Sequence, residues 1–173
     1  FVNALAENGF LPDFSKLGED ILSRTALVYF CTPANPQGAV ASQSYLKGLV
    51  ALSRQYNFTL VVDECYAEIY DGDPPPGTLQ VCAQDGNLSG ILVFHSLSKR
   101  SNVAGLRSGF VAGDPDLMVL FRRLSEYGGS PSPLPVFAAA TALWRDEEHV
   151  VANRGLYSEK LDLAERILSN RFG

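Results

Sequence analysis

Three observations predict an α/β fold, a mostly parallel sheet with helices on both faces in three α/β/α layers. Short, nearly continuous apolar runs recur at 26–30 (ALVYF), 58–64 (FTLVVDE) and 91–95 (ILVFH). A segment of helical spacing separates the first two, and an Asp–Pro pair at 114–115 opens a second helical stripe. Strands that are apolar on both sides are those buried on both faces, the condition of a parallel sheet with helical covers.

Taken in order, the run at 26–30 is the first strand. Residues 42–56 form a helix, because Leu46, Leu49, Val50 and Ser53 share one face and Ser42 can cap its start. The strand at 58–64 completes a βαβ unit. The segment DGDPPPGT (71–78) is a loop, since consecutive prolines cannot sustain a ladder. A third strand follows at 91–95 and a weaker fourth at 107–113 (RSGFVAG). Asp114 and Pro115 are a cap and first helical residue for a stripe of Leu117, Leu120, Phe121 and Leu124. GGSPSPLP (128–135) breaks that helix, another passes through Trp144, and a long one runs from about Asp146 to Ser169. The sequence has no internal repeat.

At 173 residues the chain is long enough for one domain with a sizeable core. No apolar run approaches the roughly eighteen residues of a membrane span. A net charge of −5 gives no basic field for a polyanion, which argues against a nucleic-acid partner and for small molecules. Cys31, Cys65 and Cys82 are odd in number with no close pair, fitting neither a disulfide framework nor a zinc site, so a reducing cytoplasm is expected. The chain opens on Phe1 without a charged-then-apolar leader, so no targeting signal is read there.

In open α/β sheets ligands bind beyond the carboxyl ends of the strands. The first strand leads into CTPANPQGA, with Asn35; the second ends in Asp63, with Tyr66 three residues on; the third delivers Ser96, Ser98 and Lys99, with Arg107 eight beyond the lysine. An amide, a carboxylate with a phenol, and an amine among hydroxyls and a guanidinium suit pyridoxal 5'-phosphate. That cofactor needs an amine to condense with its aldehyde, an acid for its ring nitrogen, donors to its ring oxygen and a phosphate cradle. Lys99 can be the amine, with partial desolvation and Arg107 favouring its neutral form. Asp63 can pair with the ring nitrogen. Tyr66 and Asn35 can donate to the ring oxygen, and Ser96, Ser98 and Arg107 can bind the phosphate.

NPQG, DECY and SLSK followed by GLRSGF, in this order and spacing, resemble the successive motifs of the fold-type I, class I and II pyridoxal-phosphate aminotransferases. AENGFLPDF, DECYAEIY, FHSLSKRSN and RDEEHVVANRGLYSEK are similar to the succinyldiaminopimelate aminotransferase branch. The resemblance implies amino transfer between N-succinyl-diaminopimelate and 2-oxoglutarate, with glutamate as the physiological donor, in bacterial lysine biosynthesis. It implies a homodimer acting on amino and oxo acids, away from membranes and nucleic acid. It places Asn35, Asp63, Tyr66, Lys99 and Arg107 on cofactor positions, and Ser96 on a phosphate-contacting serine; Ser98 follows less directly. Members are longer, so residues 1–173 are read as a partial large domain, with the start of the connecting long helix at about 146–173. An N-terminal segment with a phosphate turn and a C-terminal small domain would then lie outside it, and the piece alone would be inactive. Other aminotransferases, carbon–sulfur lyases and cofactor-sensing domains of transcription regulators share the scaffold.

Plainer roles stand beside these. Lys99 alone would be a solvated lysine, Asp63 a helix cap, Asn35 a turn residue and Arg107 an ion-pair partner. His95 reads as a buried, hydrogen-bonded strand residue, His149 as a helix-surface residue, Cys65 as a small buried side chain, and Trp144 and the other aromatic residues as core.

Overall fold

A computed structural model describes residues 1–129 and 132–172, the side chains of Asn170 and Phe172 excepted. Strands β1 (Leu27–Cys31), β2 (Thr59–Asp63), β3 (Ile91–Ser96) and β4 (Gly109–Gly113) form one sheet in the order β1-β2-β3-β4. The first three are parallel, and β4 returns antiparallel to β3 with Gly109 opposite Ser96. Glycine is required at both ends of β4: a Cβ on Gly109 would lie 2.4 Å from the His95 carbonyl oxygen, and one on Gly113 2.0 Å from that of Ile91.

Helix α1 (Glu19–Leu22) precedes β1, and α2 (Gln43–Tyr56) joins β1 to β2. The Ser42 hydroxyl accepts the Tyr45 N–H, the cap that the sequence predicts. Leu46, Leu49, Val50 and Ser53 are buried, as the spacing requires. Leu46, Leu49 and Val50 pack with Phe30, Leu60, Val62, Ile91 and Val93 from the sheet and with Val81 and Cys82 of α3 (Thr78–Cys82). Each such apolar side chain contributes about 1.5–3 kcal/mol, and truncating fully buried Leu46 to alanine would cost about 2–5 kcal/mol.

Side chains alternate along a strand, so Val61, Leu92 and Phe94 face the other way. There Phe94 meets Phe121 of α5 (Pro115–Gly128), with ring centroids 5.7 Å apart, so helices cover both faces. The expected α5 stripe is only half covered. Leu117 and Phe121 are partly buried, the latter against the Phe94 ring, whereas Leu120 and Leu124 are 63% and 69% exposed. Ser130 and Pro131, in the expected break, lie outside the described residues.

Helix α6 (Leu134–Arg145) brings Trp144 against Phe110, whose ring also stacks on His95. The last helix, α7, runs from Glu148 to Phe172. Val150 in its first turn is buried, but from Glu159 to Ser169 every side chain is exposed. One long helix thus has an anchored start and an exposed end. No helix among the described residues is long and apolar enough to cross a membrane.

Candidate active site

Because β1, β2 and β3 run parallel, their carboxyl ends lie together. Cys31 sits opposite Asp63 in the register, and alternation turns both away from the α2 side. The carboxylate of Asp63 is exposed, and its Oδ1 accepts the Cys65 N–H at 3.0 Å. That bond closes the turn carrying Tyr66.

The Asn35 loop is fixed from within. Thr32 donates its N–H to the Asp63 carbonyl at 3.0 Å and accepts the Ala41 N–H on its hydroxyl at 2.9 Å. Ala34 N–H reaches the Ala39 carbonyl at 2.9 Å. Asn35 thereby presents its amide to the Tyr66 hydroxyl, 2.9 Å away. The ammonium of Lys99 lies 5.5 Å from the Tyr66 ring centroid, within cation–π range. Asn35, Tyr66 and Lys99 are therefore joined, with Asp63 beside them.

Lys99 stands on α4 (Leu97–Arg100), a single turn after β3. Ser96 caps it, accepting the Ser98 N–H at 3.0 Å and donating to the Ser98 hydroxyl at 2.8 Å. With Ser96 as donor, the Ser98 hydroxyl proton is left for an acceptor outside the pair. Arg107 is exposed, and its guanidinium turns back to the Ala104 carbonyl at 2.9 Å. Its backbone is left-handed, φ 51°, a conformation that costs a non-glycine residue about 1 kcal/mol or more and persists only where its surroundings impose it. A cavity of about 420 Å³ is lined by Tyr66 together with Pro33, Ile69, Tyr70 and Leu161 among others.

Both thiols at this edge are held protonated. Burial, then a hydrogen bond and the negative charge of Asp63, push Cys65 up to about 12, with Lys99 pulling weakly the other way. Burial and the Asp63 charge also raise Cys31.

Several contacts around α4 have no signal in the sequence. Arg100 is buried; its guanidinium donates to the Leu143 carbonyl at 3.0 Å, pairs with Glu147 and lies 5.0 Å from the Trp144 ring. His149 is not a free surface residue: its ring nitrogens lie 2.9 Å from Asp146 and 2.8 Å from the Ser101 hydroxyl. His95 lies on β3 as expected but is only partly buried, its Nε2 3.3 Å from buried Glu64, which also accepts the Thr78 N–H at 2.7 Å. Spacing along one helix cannot show which distant carbonyl its polar residues will meet.

Known proteins share this arrangement of strands and helices. An aminotransferase from Neisseria meningitidis superposes with a TM-score of 0.92 at 45% identity, covering 100% of this chain and 44% of its own. A probable N-succinyldiaminopimelate aminotransferase from Thermus thermophilus superposes at 0.80 with 27% identity, covering 93% and 43%. The LL-diaminopimelate aminotransferase of Syntrophobacter fumaroxidans is 31% identical over 164 residues, 94% of this chain and 42% of that protein. The chain spans less than half the length of these relatives. Residues 1–171 match the model of aminotransferase class I and II, so the chain belongs to that family, whose cofactor is pyridoxal 5'-phosphate.

Proposed function

We propose that the full-length protein transfers an amino group between an amino acid and a 2-oxo acid with pyridoxal 5'-phosphate as cofactor. The observation that carries this reading is the Lys99 ammonium 5.5 Å from the ring of Tyr66, whose hydroxyl Asn35 holds, at the strand end bearing Asp63. The donor set fits the cofactor, since a half-buried amine, an exposed carboxylate, a phenol and paired serines lie at one edge. When bound, the cofactor supplies an aldehyde that condenses with amines and a protonated ring that draws electrons from the substrate α-carbon.

The protein's own groups have distinct tasks. Asp63 would hold the proton on the ring nitrogen, and Tyr66 and Asn35 would donate to the ring oxygen. Ser96, Ser98 and Arg107 would bind the phosphate, with the guanidinium swinging from the Ala104 carbonyl. Lys99 would anchor the cofactor and, once displaced by substrate, hold the proton taken from the α-carbon. We read the chain as the central part of a large domain, with α7 leading toward a small domain, and the whole as a cytoplasmic homodimer whose fragment alone is inactive.

For the substrate we favour N-succinyl-diaminopimelate with 2-oxoglutarate, in lysine biosynthesis. The motif resemblance and the Thermus thermophilus neighbour support it. The Syntrophobacter fumaroxidans relative favours a second reading, free LL-diaminopimelate.

Borohydride treatment of the full-length protein with cofactor should fix the label on the peptide containing Lys99. Label confined to Lys47 or Lys160 overturns the assignment. In a 2-oxoglutarate assay, N-succinyl-diaminopimelate should exceed LL-diaminopimelate, aspartate and alanine as donor. Preference for LL-diaminopimelate selects the second reading, and release of pyruvate in place of amino transfer indicates a lyase.

A further inference from the structure

We infer that Asn153 and Arg154, adjacent on α7, are positioning residues that clamp the Lys99 turn against the Tyr66 turn; this rests on the reading of Lys99 and Tyr66 above. A single-turn helix leaves its last carbonyls without intrahelical partners. On α4 those are the carbonyls of Lys99 and Arg100, and the Asn153 amide nitrogen lies 3.3 Å from each. One turn earlier on the same face, His149 bonds the Ser101 hydroxyl, so α7 holds the Lys99 turn at two points.

Arg154 points elsewhere, because successive helical residues are turned by about 100°. Its guanidinium donates to the Glu68 carbonyl at 3.2 Å and to the Glu68 carboxylate at 2.7 Å, and lies 4.0 Å from the Tyr70 ring centroid. Glu68 belongs to the turn that carries Tyr66, which is closed by Ile69 N–H to the Tyr66 carbonyl at 3.0 Å. Neighbouring Cα atoms on a helix are a fixed distance apart, about 3.8 Å. Bonds from consecutive residues therefore fix the two turns to one rigid body. The pair is remote in sequence from what it holds, 54 residues for Asn153 to Lys99 and 86 for Arg154 to Glu68. Neither residue is offered as touching cofactor or substrate.

The test uses the full-length protein with Asn153→Asp, an isostere that replaces the donor with an acceptor, and Arg154→Ala. In each variant the rate at which cofactor attaches to Lys99, trapped with borohydride and quantified on its peptide, should fall about tenfold or more, as should kcat, with KM for 2-oxoglutarate changed less than about twofold. Amide hydrogen exchange should quicken at 97–101 in the first variant and at 66–70 in the second, while β2 and β3 keep their protection. Attachment and local exchange within about twofold of wild type in both variants would overturn the clamp. So would faster exchange spread evenly over the sheet, the mark of general loosening. Should Asn153→Asp not fold, Arg154→Ala decides alone, since its side chain is partly exposed. Exchange reads the clamp even if Lys99 proves not to be the attachment point, whereas wild-type protein that labels elsewhere overturns the reading of Lys99 itself.

Discussion

The amide of Asn35 donates to the hydroxyl of Tyr66 across 2.9 Å, tying the loop after β1 to the turn after β2. The pair is open to solvent, so its net contribution to folding is about 1 kcal/mol or less. Its value lies in aiming two donors at one place. Tyr66→Phe in the full-length protein should leave the thermal midpoint nearly unchanged and weaken cofactor binding about tenfold, the loss of one good hydrogen bond. Spectroscopic titration with pyridoxal phosphate checks this. Unchanged affinity would show that the hydroxyl faces no ligand.

Asp63 is exposed, and its carboxylate is tied to the backbone where it accepts the Cys65 N–H at 3.0 Å. An asparagine oxygen can accept the same bond, so Asp63→Asn should fold normally. It should lower turnover far more than substrate affinity, because the lost charge acts on the transition state. Steady-state kinetics of the full-length variant decide, and near-normal kcat would remove Asp63 from the mechanism.

The strands and their order of chemistry were legible because each carries its own local signal. Apolar runs marked β1, β2 and β3, and Ser42 and Asp114 marked two helix starts through capping chemistry. Parallel strands then placed Asn35, Asp63 and Lys99 at one edge. What stayed hidden is long-range. Nothing in the sequence pairs Asn153 with Lys99 or Arg100 with Leu143, because a polar residue on a helix shows its face but not the carbonyl it will meet. The half-bare α5 stripe was equally unreadable, since Leu120 and Leu124 follow helical spacing as well as Phe121 does. Burial depends on what lies opposite.

Cys65 should be inert at ordinary pH. Its thiol is pushed up to about 12 by burial, by its bond to Asp63 and by that residue's charge. At pH about 8 the reactive thiolate is then roughly one part in ten thousand, against about a quarter for a free cysteine. Alkylation of Cys65 by iodoacetamide should accordingly be about a thousandfold slower than that of a model thiol. Asp63→Asn removes the charge and weakens the bond while leaving burial, so labelling should quicken in that variant. Mass spectrometry of the Cys65 peptide over time measures both rates, and fast labelling of wild type would contradict the assigned surroundings.

Asp114 links the sheet to α5 through three backbone bonds, and its pH behaviour follows from them. One carboxylate oxygen accepts the Gly90 N–H at 2.7 Å, the other the N–H groups of Asp116 at 2.8 Å and Leu117 at 3.3 Å. The Gly90 bond, followed by those of Asp116 and Leu117, holds its carboxyl below the usual range against the opposing effect of burial. A depressed folded value means that stability is fully present above the unfolded pKa of about 3.9 and is lost as pH falls through the folded value. Asp114→Ala removes the cap and leaves the Gly90 N–H without its partner, at a cost of about 2 kcal/mol or more. Denaturant midpoints of the full-length protein and this variant should therefore stay apart by a constant amount from pH about 7 to about 5 and converge as pH drops below about 4. A gap that widens in acid would mean that the carboxyl binds its proton more tightly when folded, the reverse of what three donated N–H groups require.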